Sequence, residues 1–118
     1  MPTFDELVRK RRQFLCECGC MQLATDRHHG LLPNLKRFPM LDCEENIVLV
    51  NHWEHDNRRF DNAEWRQKFW DIQCERYGRK HMIDWWNSLP AKLNDRKRQS
   101  GIDTGTKQTY NNSQGNEQ

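Results

Sequence analysis

The sequence predicts a single small domain of the α+β class, and three observations carry that expectation. Thr3 and Glu6 form a capping-box pair ahead of Phe4, Leu7 and Val8, an apolar stripe at helical spacing. The run NIVLV at residues 46–50 is dense in β-branched side chains and fits a buried strand. The stretch NAEWRQKFWDIQCERYG places Trp65, Phe69, Ile72 and Arg76 or Tyr77 along one face, and Gly78 closes it as a helix C-cap.

The elements follow in order. A first helix covers about residues 4–13. CECGCMQLATDRHHGLL has no helical period and is punctuated by Gly19 and Gly30, so it reads as a cysteine-bearing turn followed by a short strand near 24–29. PNLKRFPMLDCEE carries two prolines and reads as a connecting loop. The strand at 46–50 pairs with the first strand as a long-looped hairpin, and residues 52–60 form a short helix directly after it. Asp61 with Glu64 is an N-cap pair for the next helix. A last helix spans about 81–88, with Met82, Trp85, Trp86 and Leu89 as its apolar positions. From Asn94 onward large apolar residues are scarce, so 94–118 reads as a disordered polar tail and the domain as residues 1–93.

With 118 residues the core is modest. No apolar run is long enough to span a membrane, and the acidic–basic N-terminus does not read as a secretory signal, so a cytoplasmic protein is expected. The net charge of +2 says little about partners. Its distribution says more: Arg9–Arg12, Lys36 with Arg37, Arg58 with Arg59, and Arg96–Arg98 are clusters of the kind that neutralise phosphates. Any one of them alone reads more readily as an ordinary solvated face.

Two adjacent histidines in DRHHG are unusual, because neighbours on regular structure point apart. Taken with an Asn opening the next strand and a His on the following helix, the arrangement DRHHG … EENIVLV … NHWEH resembles the HNH endonuclease family. The resemblance implies a ββα-metal (His-Me finger) core at about 24–60, with an N-terminal helix and a C-terminal helical extension like that of phage-type members. It implies His28 as first metal ligand, His29 as general base, Asn46 as the residue that binds the inter-strand loop and fixes the base, and His55, nine residues after Asn46, as second ligand. His52 is the alternative ligand. The implied activity is metal-dependent hydrolysis of DNA phosphodiesters. The implied cation is Mg²⁺ or Mn²⁺, with Ni²⁺ or Zn²⁺ suited to imidazole ligands in vitro.

Arg59 stands where some relatives place a third histidine, and it could contact phosphate instead. Arg27, Lys36, Arg37, Arg58 and Arg59, with Arg9, Arg11 and Arg12 of the first helix, are the expected backbone contacts. The implied partners are DNA and phage packaging proteins, in host cytoplasm. The alternative is a non-catalytic DNA-binding or adaptor module, or a nuclease subunit active only with a partner. His29 speaks for an enzyme, because binding alone needs no base.

Five cysteines, three of them in CECGC, suggest metal binding or reduced thiols rather than disulfides in a chain read as cytoplasmic. The family's structural zinc uses two CxxC pairs. Here the second pair falls on Asn51 and Glu54 and the first is CxCxC, so a complete four-cysteine site cannot be assembled and no structural zinc is expected. The alternative is an unusual site built from Cys16, Cys18 or Cys20 with Cys43 or His52. Of the five tryptophans, Trp53 is the one placed to stack on a base; the others read as core.

Overall fold

The computed structural model describes residues 2–53, 56 and 60–105. His55, Arg58 and Arg59, three of the expected site residues, lie outside the described residues. Helix α1 (Phe4–Arg11) begins as the capping box dictates: Thr3 Oγ1 accepts from the Glu6 amide at 3.1 Å, and Glu6 Oε1 accepts from the Thr3 amide at 2.8 Å. It ends two residues earlier than expected, at Arg11, where the C-cap Arg12 adopts a left-handed conformation with φ 54°.

Strands β1 (Asp26–His29) and β2 (Ile47–Val50) form a two-stranded antiparallel sheet, with His28 opposite Val48 and His29 opposite Ile47. The connecting loop is less plain than its sequence suggested, since it contains 3₁₀ turns at Pro39–Leu41 and Glu44–Asn46. Helices α2 (Ala63–Tyr77), α3 (Arg79–Ser88) and α4 (Asn94–Ser100) follow, so the described residues form a small α+β domain with four α-helices.

All four residues of β2 are fully buried because both faces of the sheet are covered. Val48 and Val50 join Leu31, Leu32, Phe60, Phe69 and Trp70, whereas Ile47 and Leu49 join Leu7 of α1. That two-sided burial explains a continuous apolar run in place of the alternation of a half-exposed strand. Gly30, just past β1, meets a spatial demand: a Cβ there would sit 3.0 Å from both Phe69 Cδ2 and Val48 Cγ2.

Three expectations change. The N-cap of α2 is Asn62, whose side chain accepts from the Trp65 amide at 2.9 Å, while Asp61 instead pairs with Arg66. Helix α3 starts at Arg79, immediately after Gly78, where φ is 99°. Residues 94–105 are also not a polar tail: they form α4 and a following stretch in which Ser100 and Thr104 are buried. Composition misled there because, apart from Ile102 packed against the core, the anchors are hydrogen bonds rather than apolar surface. Arg66 Nε donates to the Ser100 carbonyl at 2.8 Å, Arg79 Nη2 to the Thr104 carbonyl at 2.9 Å, and Gln67 binds the Asp103 backbone on both sides.

A buried ionic hub joins the N-terminal half to α2. The Glu17 carboxylate receives Arg11 Nη1 at 3.2 Å, Arg76 Nη2 at 2.6 Å and the Leu49 amide at 2.9 Å. The side chains of Arg11 and Glu17 are each only 2% exposed. Arg11 is thereby committed to the interior, also meeting Tyr77 Oη and the Glu44 carbonyl, and the expectation that it contacts DNA is corrected. Burial raises the Tyr77 phenol to about 12, so it remains a neutral hydrogen-bonding partner.

Candidate functional site

The loop after β1 and the end of the 3₁₀ turn before β2 are locked together by Asn46, which is fully buried. Its Oδ1 accepts from the Leu31 and Leu32 amides at 3.2 and 2.9 Å, and its Nδ2 donates to the Leu32 and Leu41 carbonyls at 2.8 and 2.9 Å. Its own carbonyl accepts from the Gly30 amide at 2.9 Å. An Asn amide has two donor hydrogens and a two-lone-pair oxygen, so one side chain satisfies four backbone groups. Replacing Asn46 by Ala orphans all four in a dry interior, at about 1–3 kcal/mol each before relaxation. We expect Asn46→Ala to lower the unfolding free energy by at least ~3 kcal/mol in urea denaturation. Asn46→Asp should also destabilise, because a carboxylate faces two carbonyl oxygens with no proton to donate.

His28 and His29 lie on opposite faces of the sheet by register, yet both line one cleft of about 340 Å³. The strand ends at His29 and the chain turns into the Asn46-braced loop, which contributes Leu31, Leu32 and Pro33 to the same wall; Phe60 and Asp61, with Arg66 of α2 and Arg96, Gln99 and Ser100 of α4, complete it. The His28 ring is set against Phe60 and Phe69, at centroid distances of 5.8 and 5.9 Å with interplanar angles of 52° and 66°. Two aromatic neighbours fix the plane of that imidazole.

His29 is held by chemistry that its sequence neighbours did not announce. Its Nε2 lies 3.0 Å from Asp42 Oδ1, and the same oxygen receives Arg27 Nη1 at 3.1 Å. Arg27 Nη1 also donates to the Pro2 carbonyl at 3.1 Å. An ionised carboxylate only accepts, so Nε2 carries the proton and Nδ1 is the ring's proton-accepting atom. Asp42 is buried, with its charge balanced by the guanidinium. Sequence reasoning missed Asp42 because it sits 13 residues from His29 in a loop of no clear period. Arg27, an expected phosphate contact, instead braces this carboxylate.

The remaining expected residues disperse. His52 does not line the cleft: its Nδ1 lies 2.9 Å from Asp26 and its Nε2 3.3 Å from Asp56, so neither nitrogen is directed to a shared metal with His28. The hydrogen bond that His52 donates to Asp26, with the charges of Asp56 and Asp26, holds the imidazole's pKa above its ordinary value. Trp53 is exposed, and Arg9 and Arg12 stay exposed on and beside α1, away from the cleft. Lys36 and Arg37 are exposed on the loop after Leu35.

A second cluster lies in the cysteine turn. Leu15 and Leu23 form an isolated antiparallel bridge, and between them Gly19 (φ 89°) and Met21 (φ 70°) bend the chain through left-handed conformations. Residues at i, i+2 and i+4 of a straight strand would be roughly 7 and 13 Å apart. The turn gathers the Sγ atoms of Cys16, Cys18 and Cys20 to within 4.8 Å of one another, with Cys16 and Cys18 at 3.2 Å. All the cysteines are free thiols. The expectation of no structural zinc is revised accordingly: these three thiols form a group that could hold a metal ion. Cys43 is not part of the group; burial raises its thiol to about 11.

No protein-family model matches the chain, and no curated protein or solved structure is similar to it.

Proposed function

We propose that the His28–His29 cleft hydrolyses phosphodiester bonds of DNA, as the resemblance to HNH endonucleases implies. The observation that carries the reading is the Asp42–His29 hydrogen bond at the edge of a cleft that His28 also lines. His29 Nδ1 takes the proton from the attacking water. The resulting imidazolium is stabilised by the Asp42 carboxylate, as a buried acid steadies the base of other acid–base pairs. Arg27 positions the Asp42 carboxylate through its hydrogen bond to the same oxygen. Asn46 fixes the loop whose wall faces the scissile phosphate.

The resemblance to HNH endonucleases would place a divalent cation of borderline softness on His28, whose imidazole stands against Phe60 and Phe69, and on His55. When bound, such a cation stabilises charge on the phosphate and the leaving oxygen. The test is product chemistry. Supercoiled plasmid treated with the full chain and Mn²⁺ or Mg²⁺ should be nicked or linearised, with 3′-hydroxyl and 5′-phosphate ends that ligase reseals directly. Ends that ligase cannot reseal would contradict water attack in this geometry.

The cysteine turn supports a finer proposal: Cys16, Cys18 and Cys20 take zinc as a structural ion. Zinc–thiolate bonds of about 2.3 Å in a tetrahedron place sulfurs about 3.8 Å apart, a spacing the three thiols nearly meet. Burial and the neighbouring thiols raise Cys18 to about 12 without a cation, and a cation reverses that preference by binding the thiolate. Metal analysis of protein purified under reducing conditions should find about one zinc per chain, retained in His28→Ala and lost in Cys18→Ser/Cys20→Ser. Equal zinc in the cysteine variant would reject the assignment.

A further inference from the structure

We propose that Lys36, Arg37, Lys92 and Arg96 form a track for the phosphodiester backbone that leads out of the hydrolytic cleft. The inference rests on the reading that the substrate is nucleic acid. A second groove, of about 450 Å³, is lined by Lys36, Arg37, Phe38, Lys92, Leu93 and Arg96. Arg96 lines this groove and the His28–His29 cleft alike, so the two adjoin at that residue.

What marks these four residues is that they share one groove without a carboxylate partner, whereas Arg9 and Arg12, likewise without one among the described residues, line neither groove. Lys10, Arg11, Arg27, Arg66, Arg76 and Lys80 are each engaged with a carboxylate. Among the described residues, no carboxylate pairs with Lys36, Arg37, Lys92 or Arg96, and all four are exposed. Gathering unneutralised like charges around one groove works against the folded state, and a polyanion relieves that repulsion while releasing its own counterions. The apolar floor of Leu35, Phe38 and Leu93 gives sugars or bases a surface to lie on. The Arg37 guanidinium sits over the Phe38 ring at 5.9 Å, which holds a planar donor at the groove.

This moves the footprint away from α1. Arg11 is buried in the Glu17 hub, and Arg9 and Arg12 line neither groove. It also gives the basic cluster at Arg96–Arg98 a placement that its sequence did not show, since Arg96 is brought to the cleft only because the residues that follow Leu93 are folded. A backbone track predicts affinity without sequence preference, because phosphate contacts position a duplex and do not read it.

The experiment measures binding of a fluorescent DNA duplex to the full-length His29→Ala chain, in chelator, across a salt series. The slope of log affinity against log salt should fall in magnitude by about one for Arg96→Ala and again for Lys92→Ala. Arg96→Lys should retain the slope, and Lys80→Ala should match the parent. Unchanged slopes in both Arg96→Ala and Lys92→Ala overturn the track, as does full competition by inorganic phosphate, which would mean an isolated anion site. Failure here and failure of the hydrolytic reading are separable. Wild-type protein that cuts DNA while these slopes stay unchanged removes only the track; binding with the predicted slopes and no cutting removes only the hydrolysis.

Discussion

Replacing Glu17 by alanine should lower the unfolding free energy by about 3–5 kcal/mol, the cost of removing one partner from a buried ion pair. The carboxylate is the meeting point of Arg11, Arg76 and the Leu49 amide, and its side chain is 2% exposed. Its removal leaves the Arg11 guanidinium in the interior and an orphaned strand amide in β2. The same change removes the side-chain tie between the cysteine turn and β2 and leaves the backbone bond from the Glu17 amide to the Leu49 carbonyl. A small domain has only about 5–15 kcal/mol in hand, so the variant should unfold at a far lower urea concentration or fail to accumulate folded. Glu17→Gln keeps an acceptor for Leu49 but not the charge, and should fall between the two. A loss under about 1 kcal/mol for Glu17→Ala would show that water reaches the hub and that it is a surface network in effect.

The uneven legibility of the chain has a physical pattern. Features set by residues three to four apart were readable: the capping box of α1, the buried run of β2, the helical face of α2 and its glycine stop. The pairing of β1 with β2 followed from two apolar or patterned runs joined by a loop. What could not be read is built from contacts between distant residues. Asp42 reaches His29 from inside an aperiodic loop, and Arg76 reaches Glu17 across 59 residues, so no local spacing announces either. The CxCxC turn departs from the familiar zinc spacing. Only its two left-handed residues, one of them the non-glycine Met21, reveal that the thiols converge. The segment after Leu93 was misjudged for the opposite reason: apart from Ile102, its anchors are side chains of α2 and α3 donating to its backbone, which leave little hydrophobic trace in its own sequence.

Replacing His29 by alanine should slow DNA cleavage by about 10²–10⁴-fold, the range a positioned general base contributes. Duplex affinity should hardly change, because the proposed phosphate contacts come from Lys36, Arg37, Lys92 and Arg96. Asp42→Asn should also slow cleavage while preserving the hydrogen bond in outline. An amide can donate to Nε2, which would move the imidazole proton to Nδ1 and remove the acceptor that water needs. His28→Ala should act differently, weakening the response to added cation. The three variants thus separate the proton, its support and the metal by their signatures.

The most direct measurement is the rate of supercoiled-plasmid nicking by wild type and His29→Ala under identical Mn²⁺, with Mg²⁺ and Ni²⁺ in parallel and duplex binding measured on the same samples. The account predicts that wild type nicks with at least one of these ions and stops in chelator, while His29→Ala binds DNA equally and cuts at least ~100-fold more slowly. Wild type that cuts with none of the three ions, or His29→Ala that cuts as fast as wild type, would contradict it.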